Sequence, residues 1–248
     1  MIGKWTVASE KGQRRYQEDR CVAFDTSAGA EVLAVLDGHC GSMTAEFCKH
    51  HIEKIFKDSL DLLKDEKRAL ELTVLELARR TLDFDEGSTI SMVCIPNGFD
   101  IAHVAILGDS PVIIRSRGGA INVSPEHNVQ TNVAEREAAI KRGGIYSDGY
   151  IWDDRFDYGL QLSRALGDVH LDKILNREPE LYSVDLDYES FIIVASDGVV
   201  DPEHGDSKEQ IAILAAMVEK GAVAQDLVND ALNRETKDNV TAIVWRPQ

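Results

Sequence analysis

One stretch, Val32-Leu33-Ala34-Val35-Leu36-Asp37-Gly38-His39, decides the fold class of this 248-residue chain. Its first five residues are apolar at successive positions, which is typical of a β-strand covered on both faces, or on one face by helices. The Asp-Gly pair that follows is a turn dipeptide, so the strand ends there. We therefore predict an inner strand of a buried sheet, with an acidic turn at its end.

Further apolar runs of the same kind lie along the chain. They are rich in Val and Ile and are bounded by Gly, Asp, Asn or Pro, as strands are. These runs are Trp5–Ala8, Cys21–Phe24, Thr89–Ile95, Ile101–Leu107, Val112–Arg115, Phe191–Ala195 and Thr241–Trp245. Short links such as Pro96-Asn97-Gly98 join consecutive runs, which favours antiparallel sheets.

Helix-forming residues at helical spacing predict one pair of helices early in the chain and a second pair near its end. The pairs are Met43–Leu63 with Lys67–Leu82, and Ser207–Glu219 with Val223–Arg234. A shorter helix, Asn132–Arg142, falls inside an irregular, aromatic and Asp-rich segment, Glu126–Gln161, which we interpret as a flap. Since strands and helices do not alternate singly, the order predicts an α+β fold with helices outside an antiparallel sandwich, in one domain over residues 1–248.

Composition narrows the class of protein. The content of hydrophobic residues (44%) and charged residues (28%) is that of an ordinary globular protein with an ample core. A net charge of −16 argues against nucleic acid or an anionic membrane surface as the main partner, because both need clustered Lys and Arg. Four cysteines without a C-x-x-C pair, no signal peptide and no long apolar run predict a soluble intracellular protein, cytoplasmic or nuclear.

Acidic residues recur at the ends of the predicted strands. They are Glu18-Asp19 before Cys21–Phe24, Asp37 after Val32–Leu36, Asp109 after Ile101–Leu107, Asp197 after Phe191–Ala195 and Asp238 before Thr241–Trp245. A single Asp-Gly pair is most often a plain turn. If these strand ends meet, however, the carboxylates would repel one another, and a hard divalent cation such as Mg²⁺ or Mn²⁺ would resolve the repulsion.

No nucleophile motif accompanies these acids. The chain lacks a P-loop, a G-x-G-x-x-G loop, an H-E-x-x-H helix and a G-x-S-x-G elbow. Water activated by metal ions is then the natural nucleophile for a hydrolytic reaction.

A series of motifs between Arg14 and Val244 resembles, in the same order, that of the protein phosphatase 2C family of metal-dependent serine/threonine phosphatases. The motifs are Arg14–Asp19 (RRYQED), Leu36–Gly41 (LDGHCG), Gly87–Thr89 (GST), Leu107–Ser110 (LGDS), Leu162–Asp168 (LSRALGD), Ser196–Gly198 followed by Asp201, and Lys237–Thr241 (KDNVT). This resemblance implies a four-layer α-β-β-α sandwich, in which two antiparallel sheets pack face to face and a helix pair covers each outer side. It also implies phosphorylated proteins as substrates, and we expect a monomer.

The resemblance further implies two Mn²⁺ or Mg²⁺ ions and a weaker third one. The implied ligands are Asp37 between two ions, Asp197 and Asp238 on one of them, Glu18 and the Gly38 carbonyl on the other, and Asp109 and Asp201 at the third. A water shared by two ions would attack phosphorus. Arg14 would grip the phosphate through its planar fork, and His39 would protonate the departing serine or threonine oxygen.

Two positions depart from the family pattern. Cys40 stands where the family has Gly, and Pro111 stands where it often has Arg. If the backbone at Cys40 needs a positive φ, a residue with a Cβ is strained there by roughly 1–2 kcal/mol. Neither departure removes an implied ligand, so we expect the activity to survive.

Three other functions remain open at this point. A non-catalytic relative would bind a partner through the same surface, although Arg14, Glu18, Asp37, Asp197 and Asp238 are all present. A hydrolase of small phosphoesters would use the same chemistry and differ only in its substrate. A domain whose carboxylates merely bind Ca²⁺ would need neither Arg14 nor His39.

Overall fold

The computed structural model describes residues 4–98, 100–200 and 207–247. Two five-stranded antiparallel sheets dominate it, and strands are numbered in chain order. In spatial order, sheet I contains β1 (Lys4–Glu10), β16 (Val240–Arg246), β15 (Phe191–Ala195), β8 (Val112–Arg115) and β9 (Ile121–Val123). Sheet II contains β14 (Glu180–Asp185), β7 (Ile101–Leu107), β6 (Ile90–Ile95), β3 (Glu31–Leu36) and β2 (Arg20–Asp25).

Six helices and two short sheets complete the described part of the chain. The helices are α1 (Met43–Leu63), α2 (Glu66–Arg80), α3 (Val133–Lys141), α4 (Asp197–Val200), α5 (Ser207–Glu219) and α6 (Ala224–Asn233). One short sheet contains β10 (Ile145–Ser147), β11 (Tyr150–Trp152) and β12 (Gly159–Leu160), and the other contains β4 (Gly38–His39), β5 (Gly87–Ser88) and β13 (Leu166–Gly167).

Strand β3 shows why its sequence is apolar throughout. All six of its residues are buried. Val32, Ala34 and Leu36 belong to the apolar cluster shared with α1 and α2, whereas Leu33 and Val35 belong to the cluster between the two sheets. Because successive side chains of a strand point to opposite faces, a strand covered on both faces must be apolar at every position.

Three apolar clusters separate four layers. Representative members are Leu70 and Met92 between the α1–α2 pair and sheet II, Val93 and Ile192 between the sheets, and Leu227 and Val244 between sheet I and the α5–α6 pair. The fold class predicted from the sequence, antiparallel sheets with helix pairs outside, is confirmed. In the described part of the chain, no helix has both the length and the apolar composition that crossing a bilayer requires.

The sequence missed two strands of the large sheets. Strand β14 lies at the edge of sheet II and exposes three of its six residues, Glu180, Ser183 and Asp185, and β9 is a short, exposed edge strand of sheet I. Edge strands bury little surface, so they lack the apolar run that marks an inner strand. Helix α2 also ends at Arg80, before the predicted limit of Leu82.

The segment predicted to be a flap contains α3 and the β10–β12 sheet. These elements surround a fourth apolar cluster, which includes Val129, Ala139, Ile151 and Leu162. The cluster continues past Gln161 as far as Leu175. The segment therefore shares a small apolar core with the residues that follow it, and this core is separate from the three clusters of the sandwich.

Candidate metal centre

The topology brings the acidic turns to one edge of the sandwich. Strands β3 and β7 both pair antiparallel with β6, so Asp37 and Asp109, which follow them, lie at the same edge of sheet II. Strand β15 pairs antiparallel with β16, so Asp197 after β15 and Asp238 before β16 share an edge of sheet I. Asp19, before β2, joins Asp37 through the antiparallel β2–β3 pair. The convergence predicted from the sequence is thus present in the structure.

These carboxylates raise one another's pKa. For Asp37, removal from water and then the charges of Asp19, Asp197, Asp109 and Asp238 raise the pKa well above its ordinary value. For Asp197, burial followed by the charges of Asp109 and Asp238 raises the pKa to about 8. For Asp19, burial raises the pKa to about 6, although hydrogen bonds from Ser196 and Thr241 oppose that shift.

Such a donor set fits a hard divalent cation. Clustered carboxylate oxygens without a counter-charge must hold protons or a metal ion, and Mg²⁺ and Mn²⁺ prefer oxygen ligands. Within the described ranges, no group of three or more His, Cys, Asp or Glu side chains is placed so that it could hold a metal ion by itself. Mg²⁺ usually keeps several water ligands, so a site with fewer protein ligands is compatible with it. Asp201, predicted at the third ion, lies outside the described residues.

Asn239 ties the Glu18 loop to the Asp238 turn. Its side-chain oxygen accepts from the Glu18 backbone N–H at 2.8 Å, and its amide donates to the carbonyls of Lys11 and Tyr16 at 2.8 and 2.9 Å. Gly38 packs directly against Glu18, because a Cβ on Gly38 would be only 2.6 Å from the Glu18 backbone carbonyl oxygen. The backbones of Glu18 and Gly38, the two residues predicted to share one ion, are therefore neighbours.

Asp19 is fixed from the other sheet. The Ser196 hydroxyl donates to its carboxylate at 2.8 Å and accepts from the Thr241 backbone N–H at 3.0 Å. Asp19 is 2% exposed, so it is placed to orient other groups rather than to contact a substrate. Two residues after Ser196, Gly198 packs against the backbone of the Asp238 turn. A Cβ on Gly198 would lie only 2.1 Å from the Asn239 carbonyl oxygen. The helix α4 can approach the Asp238 turn only because this residue is glycine.

Arg14 lies beside Asp238. One of its terminal nitrogens, Nη2, donates to the Asp238 carboxylate at 2.6 Å, and its Nε donates to the Lys237 carbonyl at 3.1 Å. The side chain remains 52% exposed. The guanidinium is thus held by one end and keeps donors free to face a phosphate in the adjoining cleft.

His39 pairs with Asp168. The ring Nε2 lies 2.9 Å from one carboxylate oxygen of Asp168. Gly87 packs against both groups, since a Cβ there would be 2.0 Å from the His39 Nε2 and 2.2 Å from an Asp168 oxygen. The ring is consequently held in one orientation, and its other nitrogen, Nδ1, is left to exchange a proton elsewhere.

A cleft of about 580 Å³ opens at this edge. Of the predicted site residues, its lining includes Arg14, Asp109, Asp197 and Asp238. Asp37, Glu18, Gly38 and His39 do not line it. The remaining lining comes from sheet I, from α5 and from the predicted flap, represented by Val123, Ile211, Gln130, Thr131 and Tyr150.

Two residues that the sequence analysis did not single out support Asp109. Asn128 donates from its amide to the Asp109 carboxylate at 3.0 Å. His127, which is fully buried, exchanges hydrogen bonds with Gly108: its backbone N–H donates to the Gly108 carbonyl and its Nδ1 accepts from the Gly108 N–H, both at 3.0 Å. Both residues follow the short edge strand β9 after an interval of three residues, and no local sequence pattern indicates their contacts with Gly108 and Asp109.

The two departures from the family pattern both lie at the site. Cys40 has a φ of 61°, so the strain expected of a residue with a Cβ is present. Burial, followed by the charges of Asp168, Glu18 and Glu86, raises the pKa of the Cys40 thiol, which disfavours its reactive thiolate. Pro111 lines the cleft, where it replaces a basic side chain with an apolar ring.

Comparison of the sequence with known proteins gives one consistent result. Residues 5–240 match the sequence model of the family described as Protein phosphatase 2C. Probable protein phosphatase 2C 55 of Oryza sativa subsp. japonica is 31% identical over 97% of this chain and 65% of its own length. Probable protein phosphatase 2C 17 of Arabidopsis thaliana is 30% identical over 98% of this chain and 88% of its own length. This chain thus spans 65% of the length of the rice relative.

Solved structures show the same fold. A sex-determining protein of C. elegans superimposes with a TM-score of 0.84 at 22% identity, over 99% of this chain and 65% of that one. A serine-threonine phosphatase 2C from Toxoplasma gondii superimposes with a TM-score of 0.79 at 18% identity, over 98% and 94% of the two chains.

Proposed function

Since this chain belongs to the protein phosphatase 2C family, as its motif order predicted, we propose that it is itself a metal-dependent phosphatase of phosphoserine and phosphothreonine in proteins. The observation that carries the proposal is the carboxylate cluster of Asp37, Asp109 and Asp197, with its raised pKa values, beside the half-exposed guanidinium of Arg14. A store of bound cations would not need a phosphate-binding Arg at its edge.

The metal ions would be held by the acidic edge. The charges of Asp109, Asp197 and Asp238 all act on Asp37. In line with the family resemblance, Asp37 would help to hold two ions, Asp197 and Asp238 one of them, and Glu18 and the Gly38 carbonyl the other. Asp109, held by Asn128, is assigned to a weaker third ion together with Asp201. When bound, such ions supply an acidified water and neutralise charge on the phosphate.

Arg14 and His39 perform the remaining chemistry. Arg14 keeps donors directed toward the cleft and binds two phosphate oxygens while Asp238 fixes its other end. His39 donates a proton to the departing serine or threonine oxygen, because an alkoxide is a poor leaving group without one. Asp168 holds the ring through its contact with Nε2.

Phosphate release from a phosphothreonine peptide tests this function, measured with Mn²⁺, with Mg²⁺ and with EDTA. Asp197→Asn should lower kcat/KM by at least roughly 1,000-fold, since one ion loses its carboxylate ligand. Asp61→Asn, at an 80% exposed position on α1, is the matched control and should change nothing. Metal binding to both variants is measured in parallel by isothermal titration calorimetry.

The outcomes separate the alternatives. Turnover that persists in EDTA or in Asp197→Asn would contradict the proposed metal centre. Metal binding without turnover of any phosphopeptide would favour a partner-binding relative, and turnover confined to small phosphoesters would change the substrate class.

A further inference from the structure

The predicted flap carries a group of three aromatic rings, the exposed Tyr150 and Phe156 with the half-buried Trp152 between them, which we call the aromatic platform. Tyr150 and Trp152 flank the buried Ile151 on β11, so their rings lie on the face of the strand opposite the flap core. The ring centroids of Tyr150 and Trp152 are 5.8 Å apart, and those of Trp152 and Phe156 are 6.0 Å apart. Tyr150 is 38% exposed and Phe156 is 52% exposed, so the group forms a continuous aromatic surface.

The backbone is arranged to present Phe156. Its φ is 59°, a conformation that is unfavourable for a bulky residue. The loop is held by Asp153, whose carboxylate accepts from the backbone N–H groups of Asp157 and Tyr158 at 2.8 and 3.0 Å. Strained residues that their surroundings hold in place are concentrated at functional sites. Phe156 combines a strained backbone with a half-exposed ring, so it contributes little to the stability of the fold. This combination indicates a role in binding.

The segment that carries the platform is rich in acidic residues. Residues 145–158 contain four Asp and a single Arg. Asp148, Asp154 and Asp157 are exposed. Aromatic faces attract cations, and nearby carboxylates strengthen that attraction. The chemistry of this surface therefore fits an Arg or Lys side chain.

The platform is continuous with the candidate active site. Tyr150 lines the same cleft as Arg14, Asp197 and Asp238. Glu126 and Pro111 line it as well, so the wall of the cleft adds a carboxylate and lacks the basic residue that the family often has at position 111. A peptide whose phosphorylated residue meets Arg14 can leave the cleft across Tyr150.

On this basis we propose that the aromatic platform binds an Arg or Lys side chain of the substrate, so that this chain prefers phosphoproteins with a basic residue near the phosphorylated one. The proposal rests on the proposed phosphatase function and adds a substrate class to it. A second copy of this chain is disfavoured as the occupant, because each copy carries a net charge of −16.

The test compares phosphothreonine peptides that differ only in one residue. A set of peptides in an alanine background carries a single Arg at successive positions on either side of the phosphothreonine, and the reference peptide carries none. In the wild type, kcat/KM for the best Arg peptide should exceed that for the reference by about fivefold or more, and high salt should reduce this ratio.

Substitutions in the platform test whether its aromatic rings cause the preference for an Arg peptide. Tyr150→Leu combined with Phe156→Leu keeps the apolar surface but removes two aromatic faces, so the ratio should fall toward one. Tyr188→Leu, at a 72% exposed aromatic residue outside the flap, is the matched control and should keep the wild-type ratio. Because each ratio is taken within one variant, a general loss of activity or folding does not affect it.

A separate binding measurement distinguishes this proposal from the proposed function. Fluorescence anisotropy with labelled, unphosphorylated Arg and reference peptides reports platform binding without turnover. If the wild type hydrolyses no phosphopeptide, the phosphatase function fails, and this binding difference alone decides the platform.

Several results overturn the proposal. They are equal kcat/KM and equal binding for Arg and reference peptides in the wild type, a preference that survives the double substitution, and a preference lost equally in Tyr188→Leu. A change of sedimentation coefficient in the platform variants, with the peptide ratio unchanged, would instead identify a second copy of this chain as the occupant.

Discussion

The acidic edge of the sandwich and the flap are held in place by different forces. Asp37, Asp109 and Asp197 each follow a strand of the core, so the apolar packing of the two sheets fixes their backbone. The flap packs on only a small apolar cluster, and polar contacts join it to the residues that follow, among them the ion pair between Glu135 and Arg164 at 2.5 Å. Apolar packing of the sheets thus fixes the positions of the carboxylates, while the flap contributes the wall of the cleft against which a substrate would lie.

Substitution of His39 tests whether the carboxylates of the acidic edge are sufficient for hydrolysis without a proton donor. We expect His39→Ala to slow hydrolysis of a phosphothreonine peptide by roughly 100-fold, because the alkoxide then departs without a proton. An aryl phosphate should lose much less, since an aryl oxide leaves unprotonated. Steady-state kinetics on both substrates measure the difference, with His50→Ala on the exposed face of α1 as the control. Equal losses on the two substrates would remove His39 from this role.

Substitution of Arg164 tests whether the flap region can be destabilised separately from the sandwich. Its side chain is 17% exposed and that of its partner Glu135 is 12% exposed, so Arg164→Ala leaves a carboxylate buried without its cation. Breaking such a pair costs roughly 3 kcal/mol. We expect this loss to be local, so that hydrogen exchange quickens in residues 126–175 and stays slow in β3.

A matched substitution controls for the loss of an Arg side chain. Arg79→Ala removes an ion pair with Glu76 on the exposed face of α2 and should change the free energy of unfolding little, because exposed ion pairs contribute little to stability. Uniformly faster exchange in Arg164→Ala, extending into β3, would show that the flap and the sandwich unfold as one unit.

The acidic edge should make the metal-free protein sensitive to pH. Folding raises the pKa of Asp197 to about 8 and that of Asp19 to about 6, against roughly 4 in an unfolded chain. Between pH values of about 4 and 8 the folded state therefore binds more protons than the unfolded state. The free energy of unfolding must then fall as pH rises through this window, by at most about 1.4 kcal/mol per pH unit for each proton.

Urea denaturation of the EDTA-treated protein across this pH range measures the slope. Mn²⁺ should flatten it, because the cation takes the place of the protons, and Asp197→Asn should reduce it without metal. A metal-free protein whose stability rises from pH values of about 5 to 8 would contradict the carboxylate cluster.

The two regions also differ in what could be predicted from the sequence. The apolar run Val32–Leu36 indicated a strand covered on both faces, and the acid after it indicated a shared edge, because both are local patterns with a physical cause. The contact between Asn128 and Asp109 joins residues from separate parts of the chain, and no local pattern encodes it. Strand β14 escaped prediction because an edge strand with a polar surface lacks an apolar run.

The site residues divide in the same way. Arg14, Asp109, Asp197 and Asp238 were named from motifs, and the structure brings them to one cleft. Which flap residues complete the cleft was not readable, since it depends on how a small, separately packed unit lies against the sandwich. Tyr150 lines the cleft only because the short β10–β12 sheet turns one face of β11 away from the flap core.

The smallest expected effect concerns strain at the acidic edge itself. Cys40 has a φ of 61°, and glycine adopts this conformation without a Cβ penalty. Cys40→Gly should therefore raise the free energy of unfolding by about 0.5–1 kcal/mol, after the greater chain entropy of glycine in the unfolded state is subtracted. Lys64→Gly, at the end of α1 where φ is 53°, is the matched control and should gain a similar amount. Urea denaturation of both variants without metal gives the two values. If Lys64→Gly raises the free energy of unfolding and Cys40→Gly does not, the side chain of Cys40 must stabilise the acidic edge. That stabilisation would then be about equal to the cost of the strained backbone at Cys40.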